Sequence, residues 1–149
     1  MKHIRVSTLI SLDQSHTWEY YFNQISGWWP SDFFTSPKTR RFIIQTMIGG
    51  KAYEDFGEGE GLVWGEVIGV DYPNSLQIRG NLTKDFGGPV ITFEKFTLSP
   101  NEEGHTKFTY TCDFVGPIAD KAVKSLEDGW KDLVQQRFAS YCKKQTASK

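Results

Sequence analysis

Two glutamates and one tyrosine are the side chains of this sequence best suited to acid–base chemistry. In the predicted strands, Glu66 shares a face with Trp64 and Ile68, and Glu94 shares a face with Phe96 and Leu98. A carboxyl group facing an apolar interior has a raised pKa unless an arginine or Tyr110 stabilises its charge, and it can then act as a general acid or base. For each glutamate, the alternative is an outward, solvated position or a bulge that shifts the strand's parity.

Other patterns associated with catalysis or metal binding are weak. His3, His16 and His105 fall on a predicted strand, a predicted helix and a turn, and they form no set of metal ligands. Neither Cys112 nor Cys142 lies beside another cysteine or a histidine, so a disulfide framework and a zinc site are poorly supported. The apolar neighbours of Cys112 indicate an inert buried thiol. We therefore expect no cofactor and no metal.

Length and charge limit the class of protein. The 149 residues predict a single domain over 1–149 with an ordered core of about 3–143. With 17 basic and 18 acidic side chains, the sequence has no basic excess for a nucleic-acid partner. The basic tail, Lys143, Lys144 and Lys149, is interpreted as a solvated helix end. Because the sequence has neither a signal-peptide pattern nor a long apolar run, we expect a cytoplasmic protein without membrane insertion.

Hydrophobic periodicity predicts the elements that must position these side chains. Residues 3–12 alternate as in a half-buried strand, and a helix capped by Asp13 or Ser15 follows and ends at Ser26-Gly27. The glycine- and proline-containing stretch after it is a predicted loop, in which four aromatic residues either plug the core or form the lip of a pocket: Trp28, Trp29, Phe33 and Phe34. Short turns then separate six further predicted strands, over 41–48, 51–56, 62–72, 75–82, 90–98 and 105–114.

Near the C-terminus, the spacing of apolar residues changes from the alternation of strands to the spacing of a helix. After Gly116-Pro117, apolar residues recur at helical spacing and predict a long C-terminal helix with Gly129 in its interior. Glycines at 61, 65 and 69 on one predicted strand indicate a sharp bend or the close approach of another element. The fold class is therefore α+β, an antiparallel meander of about six to seven strands with a short helical segment after the first strand and a long final helix.

Several short motifs, in order, resemble the SRPBCC superfamily, the START and Bet v 1-like helix-grip fold, and within it the branch of homologues of the activator of heat shock protein 90 ATPase (the Aha-type branch). The matching segments are Trp28-Trp29-Pro30, Gly49-Gly50, Gly65-Glu66-Val67, Val70-Asp71-Tyr72-Pro73 with Leu76, Phe96-Thr97-Leu98-Ser99-Pro100, Gly104-His105-Thr106 and Gly129-Trp130-Lys131-Asp132-Leu133. The turn before the last strand keeps only part of the family pattern. The resemblance implies a curved sheet wrapped around the C-terminal helix, with a cavity between them.

The resemblance also implies three kinds of function. Members bind small hydrophobic molecules, some are cyclases, dehydratases or hydrolases, and others are co-chaperone or stress-related proteins. We favour non-catalytic binding of a small hydrophobic ligand of lipid, polyketide or aromatic type. The predicted ligand-binding side chains are mostly aromatic: Trp28, Trp29, Phe34, Tyr53, Trp64, Phe93, Phe108, Tyr110, Trp130, Val134 and Phe138.

Two alternatives remain open. One is a cyclase-like or hydrolase-like enzyme that uses Glu66, Glu94 or Tyr110, which an inward carboxyl group with a shifted pKa would favour. The other is a module that binds a protein partner, which a filled interior and a contiguous apolar surface patch would favour.

Overall fold

The structure of the protein, a computed structural model, describes residues 1–147, so Lys149 of the basic tail lies outside the described residues. The described chain contains seven strands: β1 (Lys2–Ile10), β2 (Arg41–Ile44), β3 (Lys51–Gly57), β4 (Glu60–Asp71), β5 (Ser75–Leu82), β6 (Val90–Pro100) and β7 (Thr106–Val115). Two short helices follow β1, namely α1 (Gln14–Trp18) and α2 (Ile25–Trp28), with a π-helical turn (Glu19–Asn23) between them. The C-terminal helix comprises α3 (Asp120–Lys131), a π-helical segment (Asp132–Phe138) and α4 (Ala139–Ala147).

The strands form one antiparallel sheet in the order β1-β7-β6-β5-β4-β3-β2. Strands β2 to β7 follow one another as a meander, and β1 pairs with β7 at the far edge, with Ile4 opposite Cys112. The sheet curls around the C-terminal helix, which confirms the predicted α+β helix-grip architecture.

The bend of the sheet is concentrated in β4, where bulges interrupt its pairing with both neighbours. Gly65 lies opposite Gly80 of β5, and a Cβ atom on Gly65 would lie 2.5 Å from a methyl group of Ile78. This close approach explains the predicted need for glycine in this strand. On the other side of β4, Val63 pairs with Tyr53 and Gly65 pairs with Ala52, so the residue between them, Trp64, is the extra residue of a bulge.

Two predicted boundaries are wrong. Trp28 ends α2 rather than lying in the loop, and its Nε1 donates hydrogen bonds to the carbonyl oxygens of Tyr20 and Tyr21. The strand predicted over 41–48 ends at Ile44, because a turn begins at Gln45, whose side chain accepts a hydrogen bond from the Lys51 amide. The predicted cap is confirmed: Asp13 accepts a hydrogen bond from the backbone amide of His16 at 2.8 Å.

Aromatic rings fill one end of the space between sheet and helices. Tyr21, from the π-helical turn, lies 4.7 Å from the ring of Phe108 and 4.9 Å from that of Phe138 on the C-terminal helix. Phe96 of β6 adds a further contact at 5.3 Å. These rings are buried and anchor the final helix in the concave sheet. Within residues 1–147, no helix combines the length and the apolar character needed to cross a bilayer.

The glycine inside α3 gives a test of how this helix packs. A Cβ atom on Gly129 would meet only the ring of Phe33, at an ordinary contact distance of 3.7 Å. We expect Gly129→Ala to raise the free energy of unfolding by about 0.5–1 kcal/mol, because alanine restricts the unfolded chain and favours the helix. Urea denaturation followed by circular dichroism measures the change.

Gly104→Ala is the matched control. Gly104 has a φ of +77° in the turn before β7, and a Cβ atom added there would have no heavy atom within 4 Å, so only backbone strain opposes alanine. This variant should be less stable by about 1 kcal/mol or more. A loss of stability in Gly129→Ala would contradict the contact described for α3.

Candidate functional site

A cavity of about 350 Å³ separates the concave face of the sheet from α3. Its walls are mostly apolar and come from the first helical segment, the loop before β2, strands β2 to β7 and the final helix. The lining residues are Tyr21, Ile25, Trp29, Phe33, Phe42, Ile44, Ala52, Glu54, Trp64, Ile78, Asn81, Leu82, Thr92, Glu94, Phe96, Tyr110, Cys112, Phe114, Ser125, Leu126, Gly129, Trp130 and Leu133. Asn81 and Ser125 are exposed, so the cavity meets solvent between the end of β5 and α3.

Stacked rings form the firmest parts of the wall. Trp130 of α3 lies on Tyr110 with ring centroids 3.8 Å apart and planes within 17° of parallel. Trp29 stacks on Phe42 of β2 at 4.2 Å and 13°, and it meets Trp130 edge-on at 6.3 Å. These contacts join the helix, the loop and both arms of the sheet around one space.

Glu94 and Tyr110 form a hydrogen-bonded pair in this wall. The Tyr110 hydroxyl donates a hydrogen bond to Glu94 Oε1 at 2.6 Å, and the Thr92 hydroxyl donates a long one to Oε2 at 3.5 Å. Burial raises the pKa of Glu94, and the hydrogen bonds oppose this rise only in part. Burial and the charge of Glu94 also raise the pKa of Tyr110 well above its usual value. Glu94 therefore faces inward, which is the position that the sequence analysis associated with acid–base chemistry.

The neighbouring thiol is unsuited to nucleophilic chemistry. Cys112 lines the cavity beside this pair and is buried. Burial, followed by the charge of Glu94, raises the pKa of the thiol far above its usual value. Because the thiolate is the nucleophilic form, Cys112 is inert near neutral pH.

Glu54 is a site residue that the sequence analysis missed. Its side chain lies on the inner face of β3, and only 1% of the residue is exposed. Oε1 accepts hydrogen bonds from the Thr35 amide at 2.9 Å and the Thr39 hydroxyl at 2.8 Å, while Oε2 accepts one from Trp64 Nε1 at 2.8 Å. None of these partners is a cation. The alternation of β3, with Ala52 and Glu54 on one face, was the available signal.

Glu66, the other predicted acid–base residue, lies outside the cavity. Its carboxylate is 2.6 Å from Lys51 Nζ and 3.3 Å from Arg79 on the convex face of the sheet. The hydrogen bond and charge of Lys51, with Arg79, lower its pKa. The bulge at Trp64 explains the correction, because it turns Trp64 inward and leaves Glu66 outward although the two are only two residues apart.

The structure divides the eleven predicted ligand-binding residues into four groups. Those that line the cavity are Trp29, Trp64, Tyr110 and Trp130. Those buried in the packed core outside its lining are Trp28, Phe108, Val134 and Phe138. Phe34 lies in a separate surface depression with Thr35 and Pro37. Tyr53 and Phe93 do not face the cavity, because the inner positions of their strands belong to Glu54 and Glu94; Phe93 is 43% exposed.

Two lining side chains carry a buried polar atom without a hydrogen-bond partner among residues 1–147: the Tyr21 hydroxyl and Trp29 Nε1. Burial, and then the charge of Glu94, raises the pKa of Tyr21 well above its usual value. Tyr21 and Glu94 therefore act on one another electrostatically. Buried polar atoms are normally paired, so both atoms need an explanation.

The histidines lie apart from this cavity. His3 is 2.7 Å from Asp113, and His16 is 2.7 Å from Asp13, both at the surface. His105 lies 3.7 Å from Glu103 in the turn before β7. In the described part of the chain, no group of three or more histidine, cysteine, aspartate or glutamate side chains is arranged to hold a metal ion.

Solved structures of known proteins share the fold of this chain. No protein-family model matches the sequence, and no curated protein matches it either. Among solved structures, DynU16, a protein of the dynemicin biosynthetic locus, is similar with a TM-score of 0.72 and 21% identity over 96% of this chain. The match spans 48% of DynU16, so this chain corresponds to about half of that protein.

Two further structures are similar over nearly their whole length. Ara h 8.0201 has a TM-score of 0.70 at 9% identity, covering 95% of this chain and 97% of its own. The Aha1 dimer from Colwellia psychrerythraea has a TM-score of 0.65 at 17% identity, covering 93% of this chain and 96% of its own. At these identities, the similarity shows the Bet v 1-like helix-grip fold alone and does not single out the Aha-type branch.

The raised pKa of Glu94 predicts a pH-dependent effect of Glu94→Gln on stability. The folded protein holds the Glu94 proton more tightly than the unfolded chain, whose glutamate pKa is about 4.3. Wild-type stability is therefore reduced by this group as the pH rises from about 4.3 through the folded pKa. Glutamine cannot lose a proton, so Glu94→Gln should gain stability relative to the wild type. The difference in free energy of unfolding, variant minus wild type, should increase across this pH window and then level off. Urea denaturation at a series of pH values measures it.

Glu66→Gln on the opposite face of the sheet is the control. Because Lys51 and Arg79 lower the pKa of Glu66, its carboxylate stabilises the fold once the pH exceeds the unfolded pKa. This variant should lose stability relative to the wild type as the pH rises, the reverse of Glu94→Gln. A flat or falling difference for Glu94→Gln would contradict the enclosed position of its carboxyl group.

Proposed function

We propose that this protein binds a small, mainly apolar molecule in the cavity between the curved sheet and the C-terminal helix. The observation that carries the proposal is the cavity of about 350 Å³, walled by Trp29, Trp64 and Trp130 and provided with polar groups at Glu94 and Tyr110. Small-molecule sites are typically apolar hollows of about 300–1,000 Å³ with a few polar groups that fix orientation.

The volume and the walls indicate the size of the ligand. At the lower end of that range, the cavity suits a molecule with one or two rings better than a long acyl chain. Flat tryptophan and tyrosine faces offer large contact areas, and each square ångström of apolar surface removed from water contributes about 25 cal/mol. Within the predicted ligand types, aromatic compounds therefore fit better than lipids.

The similar structures support a small organic ligand without identifying it. DynU16 belongs to a biosynthetic locus and has the same fold. An affiliation with the Aha-type branch and a cytoplasmic location also remain proposals, supported by the sequence motifs and the composition. The alternative of a protein-binding module is less favoured, because the interior is not completely filled by aromatic rings.

One observation favours acid–base catalysis as a second candidate. Glu94 has a raised pKa, accepts a hydrogen bond from Tyr110 and borders the cavity. A carboxyl group with a raised pKa keeps its proton to a higher pH than usual and can act as a general acid or base toward a bound molecule. This pair would serve a cyclase-like or hydrolase-like reaction on a ligand that already fits the apolar walls.

Trp130→Ala tests the binding proposal. Native mass spectrometry and thermal-shift titration of the wild type against one- and two-ring aromatic alcohols, ketones, amines and acids should give a retained ligand or a saturable shift. The variant should bind the same compound at least about tenfold more weakly, because it loses a stacked wall of the cavity. Phe93→Ala removes an exposed ring from the outer face and should leave the affinity unchanged. Equal losses in both variants would contradict the assigned site.

Tyr110→Phe tests the catalytic candidate with each compound that binds. If Glu94 and Tyr110 act on the ligand, the wild type should convert it over hours and the variant should bind it without conversion at the wild-type rate, as followed by mass spectrometry. Turnover that is unchanged in Tyr110→Phe and in Glu94→Gln would exclude the pair as the acid–base groups. Complete absence of turnover in the wild type would favour binding alone.

A further inference from the structure

The charges of the cavity wall have one sign. Two lining residues are acidic, Glu54 and Glu94, and none of the lining residues among positions 1–147 is lysine, arginine or histidine. Two basic side chains of the neighbouring strands, Lys51 and Arg79, are paired with Glu66 on the convex face. A carboxylate in this wall therefore has no positive side chain of the lining to balance its charge.

We propose that the molecule bound in this cavity is an organic cation, an ammonium group carried on an aromatic or compact apolar body. This inference rests on the proposed binding function and specifies the charge of the ligand. Glu94 Oε2 is the acceptor for the ammonium group, and Trp130, Tyr110 and Trp29 provide ring faces for the body and the positive charge.

The geometry around Glu94 leaves one oxygen available. Oε1 accepts the Tyr110 hydroxyl at 2.6 Å, whereas the only polar contact of Oε2 in the described chain is Thr92 at 3.5 Å, the limit of a hydrogen bond. A Cβ atom on Gly80 would lie 3.0 Å from Oε2 and 2.6 Å from the Thr92 hydroxyl oxygen. Glycine at this position therefore lets the Glu94 carboxylate and the Thr92 hydroxyl lie close to the backbone of β5.

Glu54 has no free oxygen for a ligand. Both of its oxygens already accept hydrogen bonds from Thr35, Thr39 and Trp64, so they are saturated by neutral donors. The Tyr21 hydroxyl is fully buried and has no hydrogen-bond partner among the described residues. It interacts electrostatically with Glu94, and its oxygen is a neutral acceptor for a ligand. An ammonium group has several N–H donors, and a carboxylate and a phenol oxygen are suitable acceptors for them.

Aromatic faces strengthen the same preference. The quadrupole of an indole or phenol ring attracts a cation placed over its face, and the attraction increases when water is excluded. Trp130, Tyr110 and Trp29 line the cavity, and stacking on Tyr110, Trp130 and Phe42 respectively covers one face of each ring, so only the other face can meet a ligand. A carboxylate or phosphate ligand would meet the negative faces of these rings and two acidic side chains, so anionic compounds are disfavoured.

The proposal predicts the direction of a pH effect on binding. Besides Glu94, the titratable groups that line the cavity are Tyr110 and Cys112 from β7, Tyr21 from the π-helical turn and Glu54 from β3, while the final helix contributes none. The pKa values of both tyrosines and of Cys112 are raised, so these groups stay neutral around pH 7. An ammonium ligand needs ionised Glu94, and its affinity should rise as Glu94 loses its proton. A neutral carbonyl ligand would instead accept a hydrogen bond from protonated Glu94 and bind more weakly as the pH rises.

Three ligands with one aromatic body test the inference: naphthylmethylamine, naphthylmethanol and naphthoate, each titrated into the protein by isothermal calorimetry. We expect the amine to bind at least about tenfold more tightly than the alcohol, and naphthoate to bind most weakly. The affinity for the amine should rise as the pH increases from the ordinary glutamate pKa of about 4.3 through the raised pKa of Glu94, as long as the pH stays below the pKa of about 10 typical of a primary amine.

Paired variants identify the carboxylate that is responsible. Glu94→Gln should weaken binding of the amine by about tenfold or more and remove the pH dependence, while the affinity for the alcohol, which loses only a neutral hydrogen bond, should change by a smaller factor. Glu66→Gln, the same substitution on the convex face, should change none of these values. Alcohol or naphthoate binding as tightly as the amine would overturn the cation proposal and leave the binding function supported. No binding by any of the three would overturn the binding function and the cation proposal with it.

Discussion

The concave face of the sheet is broader than the single helix that packs against it, and the interior depends on how this mismatch is resolved. Protein interiors are close-packed and seldom contain voids larger than a water molecule. At one end, Tyr21, Phe108 and Phe138 fill the gap with rings whose centroids are 4.7 to 5.7 Å apart. At the other end, a volume of about 350 Å³ remains between rings that stack on one another instead of collapsing inward. The cavity is therefore maintained by rigid pairs such as Trp130 on Tyr110.

A second interaction holds the wall opposite the helix. Glu54 joins three parts of the chain, because its carboxylate accepts hydrogen bonds from Thr35 and Thr39 in the loop before β2 and from Trp64 in β4. That loop begins at Trp29, whose ring stacks on Phe42 of β2. The aromatic loop that the sequence suggested as a pocket lip is thus fastened to the sheet by a buried polar residue. Its position depends on hydrogen bonds as much as on apolar contact.

Local patterns in the sequence predicted the number and order of the elements, because alternation and turn residues report directly on strands and hairpins. They could not predict the side of each residue where long-range contacts decide it. The bulge at Trp64 reverses which residues of β4 face inward and places Glu66 outward. No residue type in that segment predicts a bulge. On β3, burying a tyrosine costs less free energy than burying a glutamate without partners, and the donors of Thr35, Thr39 and Trp64 are what allow Glu54 to be the inner residue.

The two faces of the sheet treat their acidic residues differently, and this contrast bears on function. On the convex face, Glu66 has Lys51 and Arg79 within 2.6 and 3.3 Å, in contact with water. On the concave face, Glu54 and Glu94 have neutral hydrogen-bond donors only. A buried carboxyl group without a cation is less favourable to folding than an apolar or amide side chain of similar shape. For Glu94, whose second oxygen borders open cavity space, the partner that would offset this disadvantage is a positive group entering from outside. The arrangement is then better explained as a site prepared for a charge than as a feature of the core.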